Sequence, residues 1–168
     1  SDAQIVGRLL VARFGLPRWQ LGATASDANR FAIRVARAVT GRAKLLVFDG
    51  CYHGAVDDTL VDLVDGKTIS RRNLLGQVRD LGELTVSIPF NDEAALEQAL
   101  ASHDIACVLA EPVMTNCGMI PPAPGFHDAL RRLTRDAGTL LLIDETHTIS
   151  TGLGGYTKVD GIGTDLIV

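Results

Sequence analysis

The sequence predicts an α/β protein built on a doubly wound, mainly parallel sheet. Three apolar runs carry that expectation: Lys44-Leu-Leu-Val-Phe-Asp49, Ile105-Ala-Cys-Val-Leu-Ala-Glu111 and Thr139-Leu-Leu-Leu-Ile-Asp-Glu145. Each is an aliphatic stretch of strand length, the pattern of a strand buried on both faces. Amphipathic helical stretches alternate with them, and such alternation produces parallel βαβ units. Each run also delivers carboxylates or other polar groups at its carboxyl end, where open α/β sheets place their ligands.

The elements follow in order. Residues 2 to 14 set Ile5, Leu9, Val11, Ala12 and Phe14 at helical spacing, with Asp2 as the cap and Gly15 as the stop. Arg18 to Leu21 reads as a short strand. Ser26 is an N-cap candidate for a helix in which Ala28, Phe31, Ile33, Val35, Ala36 and Val39 recur until Gly41 ends it. A strand at 44 to 48 comes next. The polar, Gly-containing stretch from 54 to 83 reads as a loop covering a site, because unstructured connections beyond about 12 to 15 residues are usually functional or mobile. A strand at 84 to 88, a helix from about Asp92 to Ser102 and the strand at 105 to 110 follow. A turn with Pro121, Pro122 and Pro124, a helix from about Gly125 to Ala137, the strand at 139 to 144 and a short strand at 164 to 168 complete the chain.

Composition excludes several function classes. With 168 residues, 46% hydrophobic and 21% charged, the chain suits one well-buried domain. Its net charge of -4 and its scattered arginines argue against nucleic acid as a partner. Cys51, Cys107 and Cys117 are odd in number and lack CxxC spacing, which fits reduced thiols and indicates no metal site. No apolar stretch approaches the ~20 residues that span a bilayer, and no signal-type segment opens the chain. The expectation is a soluble, cytoplasmic protein without a membrane partner.

The strand ends carry the candidate chemistry. Thr24-Ala25-Ser26 lies where the chain enters a helix, so its amides and hydroxyls suit a phosphate; equally, Ser26 merely caps the helix. Tyr52 offers a ring face to a flat heteroaromatic ligand, or is a half-buried surface tyrosine. His53 is a proton carrier or a ring satisfied by the backbone. Asp144 suits a protonated ring nitrogen, because a carboxylate in a partly dry pocket favours an adjacent cation; its structural alternative is a helix cap.

Four segments together bring a family into view. Gly50-Cys-Tyr-His-Gly54, Glu111-Pro-Val, Pro121-Pro-x-Pro-Gly-Phe126 and Leu142-Ile-Asp-Glu145, in this order and spacing, resemble the large domain of class III pyridoxal-phosphate aminotransferases. The likeness is greatest to their glutamate-1-semialdehyde aminomutase-like branch. It implies the aspartate-aminotransferase-like fold, with residues 1–168 as an incomplete large domain, and pyridoxal 5'-phosphate as cofactor. Thr24, Ala25 and Ser26 then correspond to the family's phosphate-binding turn, with Asn29 following in the family's Glu-Ala-Asn context. Tyr52 corresponds to the residue stacked on the cofactor ring, and Asp144 to the catalytic aspartate at the pyridine nitrogen. Asn116 resembles an asparagine near the cofactor's phenolic oxygen. Glu111 and Glu145 are second-tier residues that orient loops or neighbouring side chains, with a structural salt link as open as direct catalysis, and a homodimer is implied.

Three departures accompany the resemblance. Ala25 replaces a glycine at the phosphate. Thr146 takes the place of a valine packed on the ring, and His147 follows it, so the pocket floor is more polar than usual. Finally, the family's Schiff-base lysine is expected just after Val168, and Lys44, Lys67 and Lys158 are poor substitutes. The expectation is therefore a piece of a longer protein, with the lysine-bearing segment and the small domain outside it. The parent is expected to be an aminotransferase or aminomutase acting on an amino acid or amino-aldehyde. The alternative is a non-catalytic, truncated or decayed binding module. A nucleotide-binding domain is disfavoured, because Gly152-Leu-Gly154-Gly155 reads as a flexible turn with no helix behind it.

Overall fold

A computed structural model describes all residues from Ser1 to Val168. Five parallel strands form the central sheet: β1 (Lys44–Phe48), β4 (Thr85–Ile88), β5 (Ile105–Ala110), β6 (Leu140–Ile143) and β7 (Leu166–Ile167), in the spatial order β4-β1-β5-β6-β7. Every residue of β5 is buried, and successive residues point to opposite faces, so both faces of the sheet are covered. Helix α2 (Ala25–Thr40) packs on β5 and β6. Helices α3 (Glu93–Leu100) and α4 (Phe126–Asp136) pack on each other and on β4 and β6. Leu45, Leu46, Leu109, Leu141, Leu142 and Ile143 lie in the core, each contributing roughly 1.5–3 kcal/mol by leaving water.

The strand order positions the site. From β1 the chain moves outward to β4, then returns to β5 on the other side of β1 and continues to β6 and β7. The connections after the neighbouring strands β1 and β5 thus leave in opposite directions, which opens a crevice at their carboxyl ends. Asp49, Glu111 and Asp144 all follow their strands at this same edge. The opposite edge is pinned by Arg42, which donates to the carbonyls of Ile105 and Ala137 and to the Thr139 hydroxyl.

Several local expectations are revised. Ser1, rather than Asp2, caps helix α1 (Asp2–Phe14), which Gly15 ends as expected. Arg18 to Leu21 forms no strand; Pro17 precedes it, and the Trp19 indole donates to the Leu16 carbonyl instead of a ladder forming. The stretch from 54 to 83 is not a loop. It holds a hairpin, β2 (Val61–Val64) and β3 (Lys67–Ser70), flanked by single 3-10 turns at Asp57–Thr59 and Leu81–Glu83. Asp65 and Gly66 both have positive φ, as a tight two-residue hairpin turn requires. Thr68 Oγ1 accepts from the Ser87 amide, tying the hairpin to edge strand β4. Behind Gly154 lies a short helix, α5 (Gly155–Val159), where only a turn was expected. Its start is stabilised by a buried side chain, Glu145, that sequence spacing does not announce. No helix is long and apolar enough to cross a membrane.

Candidate active site

A cavity of about 230 Å³ lies at the carboxyl edge of the sheet, lined by side chains from three of its connections and from the start of α2. Ala25 and Ser26 come from α2; Tyr52, His53 and Gly54 follow β1; Glu111 follows β5; Asp144, Thr146 and His147 follow β6. Thr24 and Asn116, two expected cofactor contacts, do not line it.

Asp144 sits at the centre of a buried network. Its Oδ2 accepts from Asn29 Nδ2 at 2.9 Å and pairs with His53 Nδ1 at 2.8 Å. Its Oδ1 accepts from the Thr146 amide at 3.0 Å and the Thr146 hydroxyl at 2.5 Å. Asn29 also donates to the His53 carbonyl at 3.2 Å, so one amide holds both partners of the pair. Burial alone raises the Asp144 pKa, yet its hydrogen bonds to His53, Thr146 and Asn29 and the His53 charge outweigh burial and lower it. Burial likewise disfavours a charged His53, and the bond to Asp144 overrides it, raising the His53 pKa. The outcome is a carboxylate held ionised at the base of the cavity. His53 Nε2 is buried without a partner.

At the other wall, α2 presents its positive end. Thr24, not Ser26, is the N-cap: its hydroxyl accepts from the Asp27 amide at 3.1 Å and donates to Asp27 Oδ2 at 2.9 Å. The capping role expected at Ser26 thus falls two residues earlier, at Thr24. Ser26 Oγ instead accepts from the Ala55 amide, and the amides of Ala25 and Ser26 have no acceptor within the chain. Two such free amides at the start of a sixteen-residue helix suit an anion. Gly54 makes this corner possible. Its φ is +85°, and a Cβ there would lie 2.1 Å from Ser26 Oγ. Tyr52, half exposed and free of hydrogen bonds, lines the cavity wall.

The remaining candidates divide. Glu111 is buried and accepts the amide and hydroxyl of Thr115 at 3.1 and 2.6 Å, and His147 reaches the same hydroxyl. Asn116 leans on Glu111 Oε1 at 3.4 Å, outside the cavity. Glu145 is fully buried and accepts from the Thr148 hydroxyl and the amides of Tyr156 and Thr157, fixing the start of α5. It lies away from the cavity, and no cation pairs with it, whereas Glu111 lies 4.0 Å from His147. Lys44 pairs with Asp104, Lys67 opens β3, and Lys158 donates to the Arg13 carbonyl; none lines the cavity. Asn29, which the resemblance named by its sequence context without a role, and Thr115, which was not expected at all, hold the site's buried carboxylates. Asn29 carries a legible signal, a polar residue one turn into a helix on the same face as its open amides. Thr115 carries none.

Chemically, the cavity offers an anion seat, a ring face and an anchored carboxylate complementary to a cation. Known proteins resemble this chain in sequence and in fold. Residues 3–167 match the family described as aminotransferase class-III. A glutamate-1-semialdehyde 2,1-aminomutase of Thermomicrobium roseum is 46% identical over 145 residues, 84% of this chain and 34% of that protein. The crystal structure of a glutamate-1-semialdehyde-aminomutase from Pseudomonas aeruginosa is 47% identical with a TM-score of 0.93, covering 99% of this chain and 37% of that one; a variant of it is described in complex with PMP. A transaminase structure described with PLP bound is 29% identical with a TM-score of 0.86, covering 99% of this chain and 40% of that one. The chain thus spans little more than a third of the length of the aminomutases it matches. It belongs to the class III aminotransferase family.

Proposed function

We propose that this chain is part of the large, cofactor-binding domain of a pyridoxal-phosphate-dependent enzyme that transfers or internally shifts an amino group on an amino acid or amino-aldehyde. The observation that carries this reading is the ionised Asp144, braced by Asn29, His53 and Thr146 on the floor of a cavity whose walls are the Tyr52 ring and the open amides of α2. These features match the three parts of pyridoxal 5'-phosphate: a basic ring nitrogen, a flat ring and a phosphate. When bound, the cofactor supplies an electron sink for the carbanion formed at the amino-bearing carbon. The chain's own contribution is electrostatic and positional. Asp144 accepts a hydrogen bond from the protonated ring nitrogen and keeps that proton in place. The Ala25 and Ser26 amides bind the phosphate; the Thr24 hydroxyl, spent on Asp27, helps only by fixing the helix start. Tyr52 covers one face of the ring and excludes water from it.

No lysine of these residues lines the cavity, which supports an amine supplied from outside them to bind cofactor and move the α-proton. The same observation supports the second reading, a binding module without turnover. The amino donor and acceptor are small molecules. A cytoplasmic location is supported by three free cysteines with no disulfide. A homodimer is supported by the apolar residues that α1 and α2 leave exposed, including Leu9, Phe31, Val35 and Val39.

The test is cofactor binding by the full-length protein, followed by absorption, in wild type and Asp144→Asn. A hydrogen bond to a charged group contributes about 1.5–3 kcal/mol, so the variant is expected to bind roughly 10- to 100-fold more weakly. Equal affinity would remove Asp144 from the cofactor, and absence of binding in wild type would remove the function.

A further inference from the structure

A second polar chain meets the cavity beside the Asp144 network. Parallel neighbours β5 and β6 carry their following connections side by side, which sets Thr115 against His147. Glu111 Oε2 accepts both the amide and the hydroxyl of Thr115, at 3.1 and 2.6 Å, and Thr115 Oγ1 lies 2.5 Å from His147 Nδ1. A hydroxyl has one proton, and the charge-assisted bond to the buried carboxylate claims it. The imidazole contact must therefore run the other way, with Nδ1–H donating to Thr115 Oγ1. In the neutral ring this leaves Nε2 bare. That nitrogen makes no hydrogen bond within the chain, and the half-exposed ring lines the cavity.

We infer that His147 presents an unprotonated Nε2 to the cavity and accepts a proton there from the incoming amino donor. The inference rests on the amino-transfer reading and adds a residue to it. An amino donor arrives as an ammonium, whose nitrogen has no lone pair with which to attack. The N–H bond breaks, its electron pair stays on the donor nitrogen, and the proton forms the Nε2–H bond of an imidazolium. Glu111, whose Oε2 is 4.0 Å from Nδ1, balances the new charge through Thr115. The proton returns to the departing product amine or to water. His147 touches the substrate, whereas Thr115 and Glu111 are positioning residues. The other titratable groups at this cavity are Tyr52 and the His53–Asp144 pair, and the pair is already locked as one buried unit.

Two measurements on the cofactor-loaded full-length protein test this. Nitrogen NMR of labelled histidine, with the His147 signal assigned by its loss in His147→Gln, is expected to show the Nδ1–H tautomer, shifting towards Nε2–H in Thr115→Val. Rapid-mixing absorption of amine uptake is expected to slow at least tenfold in His147→Gln between about pH 7 and pH 8, where an ordinary imidazole is mostly neutral and an α-amine mostly protonated, with the deficit shrinking on either side. An Nε2–H tautomer in wild type, or slowing that is equal at every pH, would overturn the inference while leaving cofactor binding and its dependence on Asp144 intact. A protein that binds no pyridoxal phosphate would overturn both readings.

Discussion

Asp144 accepts three hydrogen bonds from Asn29 and Thr146 and pairs with the buried His53 imidazole, and this pairing has a definite pH signature. The His53 pKa is raised from its ordinary 6.5, so its contribution to stability is fully present below pH 6.5 and is lost as pH rises through the raised value. The Asp144 pKa is lowered from 3.8, so its contribution is present above that pH and is lost as pH falls through the lowered value. The pair therefore stabilises most between those two ordinary values. His53→Asn keeps a donor near Asp144 but cannot take a charge. In thermal melts its deficit against wild type is expected to be largest around pH 5 to 6 and to narrow steadily above 6.5; a deficit that grows with pH would contradict the ion pair. At this scale the sequence was partly legible. Asp144, Tyr52, Ser26 and His53 stand at strand and helix ends, where ligand chemistry is expected, and all four line the cavity. The partners of Asn29 and Thr115 were not legible, since Asn29 meets Asp144, 115 positions away, and Thr115 meets His147, 32 positions away.

Helix α2 shows what an element can hide within one apolar pattern. Asn29, Ile33 and Ala36 are buried against the sheet, whereas Phe31, Val35 and Val39 are exposed on the outer side. One apolar series in the sequence thus splits into a core face and an uncovered face. Helix α1 buries no residue at all and exposes Ile5, Val6, Leu9 and Val11. Such surface is costly to leave in water and supports self-association. For the proposed homodimer, Val35→Glu is expected to weaken self-association of the full-length protein about tenfold or more in sedimentation equilibrium, with the helical circular dichroism unchanged; unaltered self-association, or a wild type that is monomeric, would contradict an interface at this face. Strands β1, β5 and β6 were legible because burial on both faces writes an uninterrupted aliphatic run. The β2–β3 hairpin was not, since its residues are only half buried and its Asp65-Gly66 turn sits in a polar stretch. Helix α5 depends on Glu145, a long-range anchor that propensity in a Gly-rich segment cannot reveal.

Across the whole molecule, the parallel sheet and the carboxyl-edge cavity follow from the alternation of buried strands and amphipathic helices. The order β4-β1-β5-β6-β7 does not, because neighbouring strands are chosen by long-range packing. The crevice created by that order gathers an anion seat at Ala25 and Ser26, a ring face at Tyr52 and an anchored carboxylate at Asp144 from segments far apart in the sequence. The central claim is that this carboxylate meets a protonated ring nitrogen. Nitrogen NMR of the full-length protein loaded with pyridoxal phosphate labelled at that position tests it most directly. A protonated nitrogen at neutral pH that loses its proton in Asp144→Asn is the expected result. A nitrogen unprotonated in wild type, or equally protonated in both proteins, would contradict the claim.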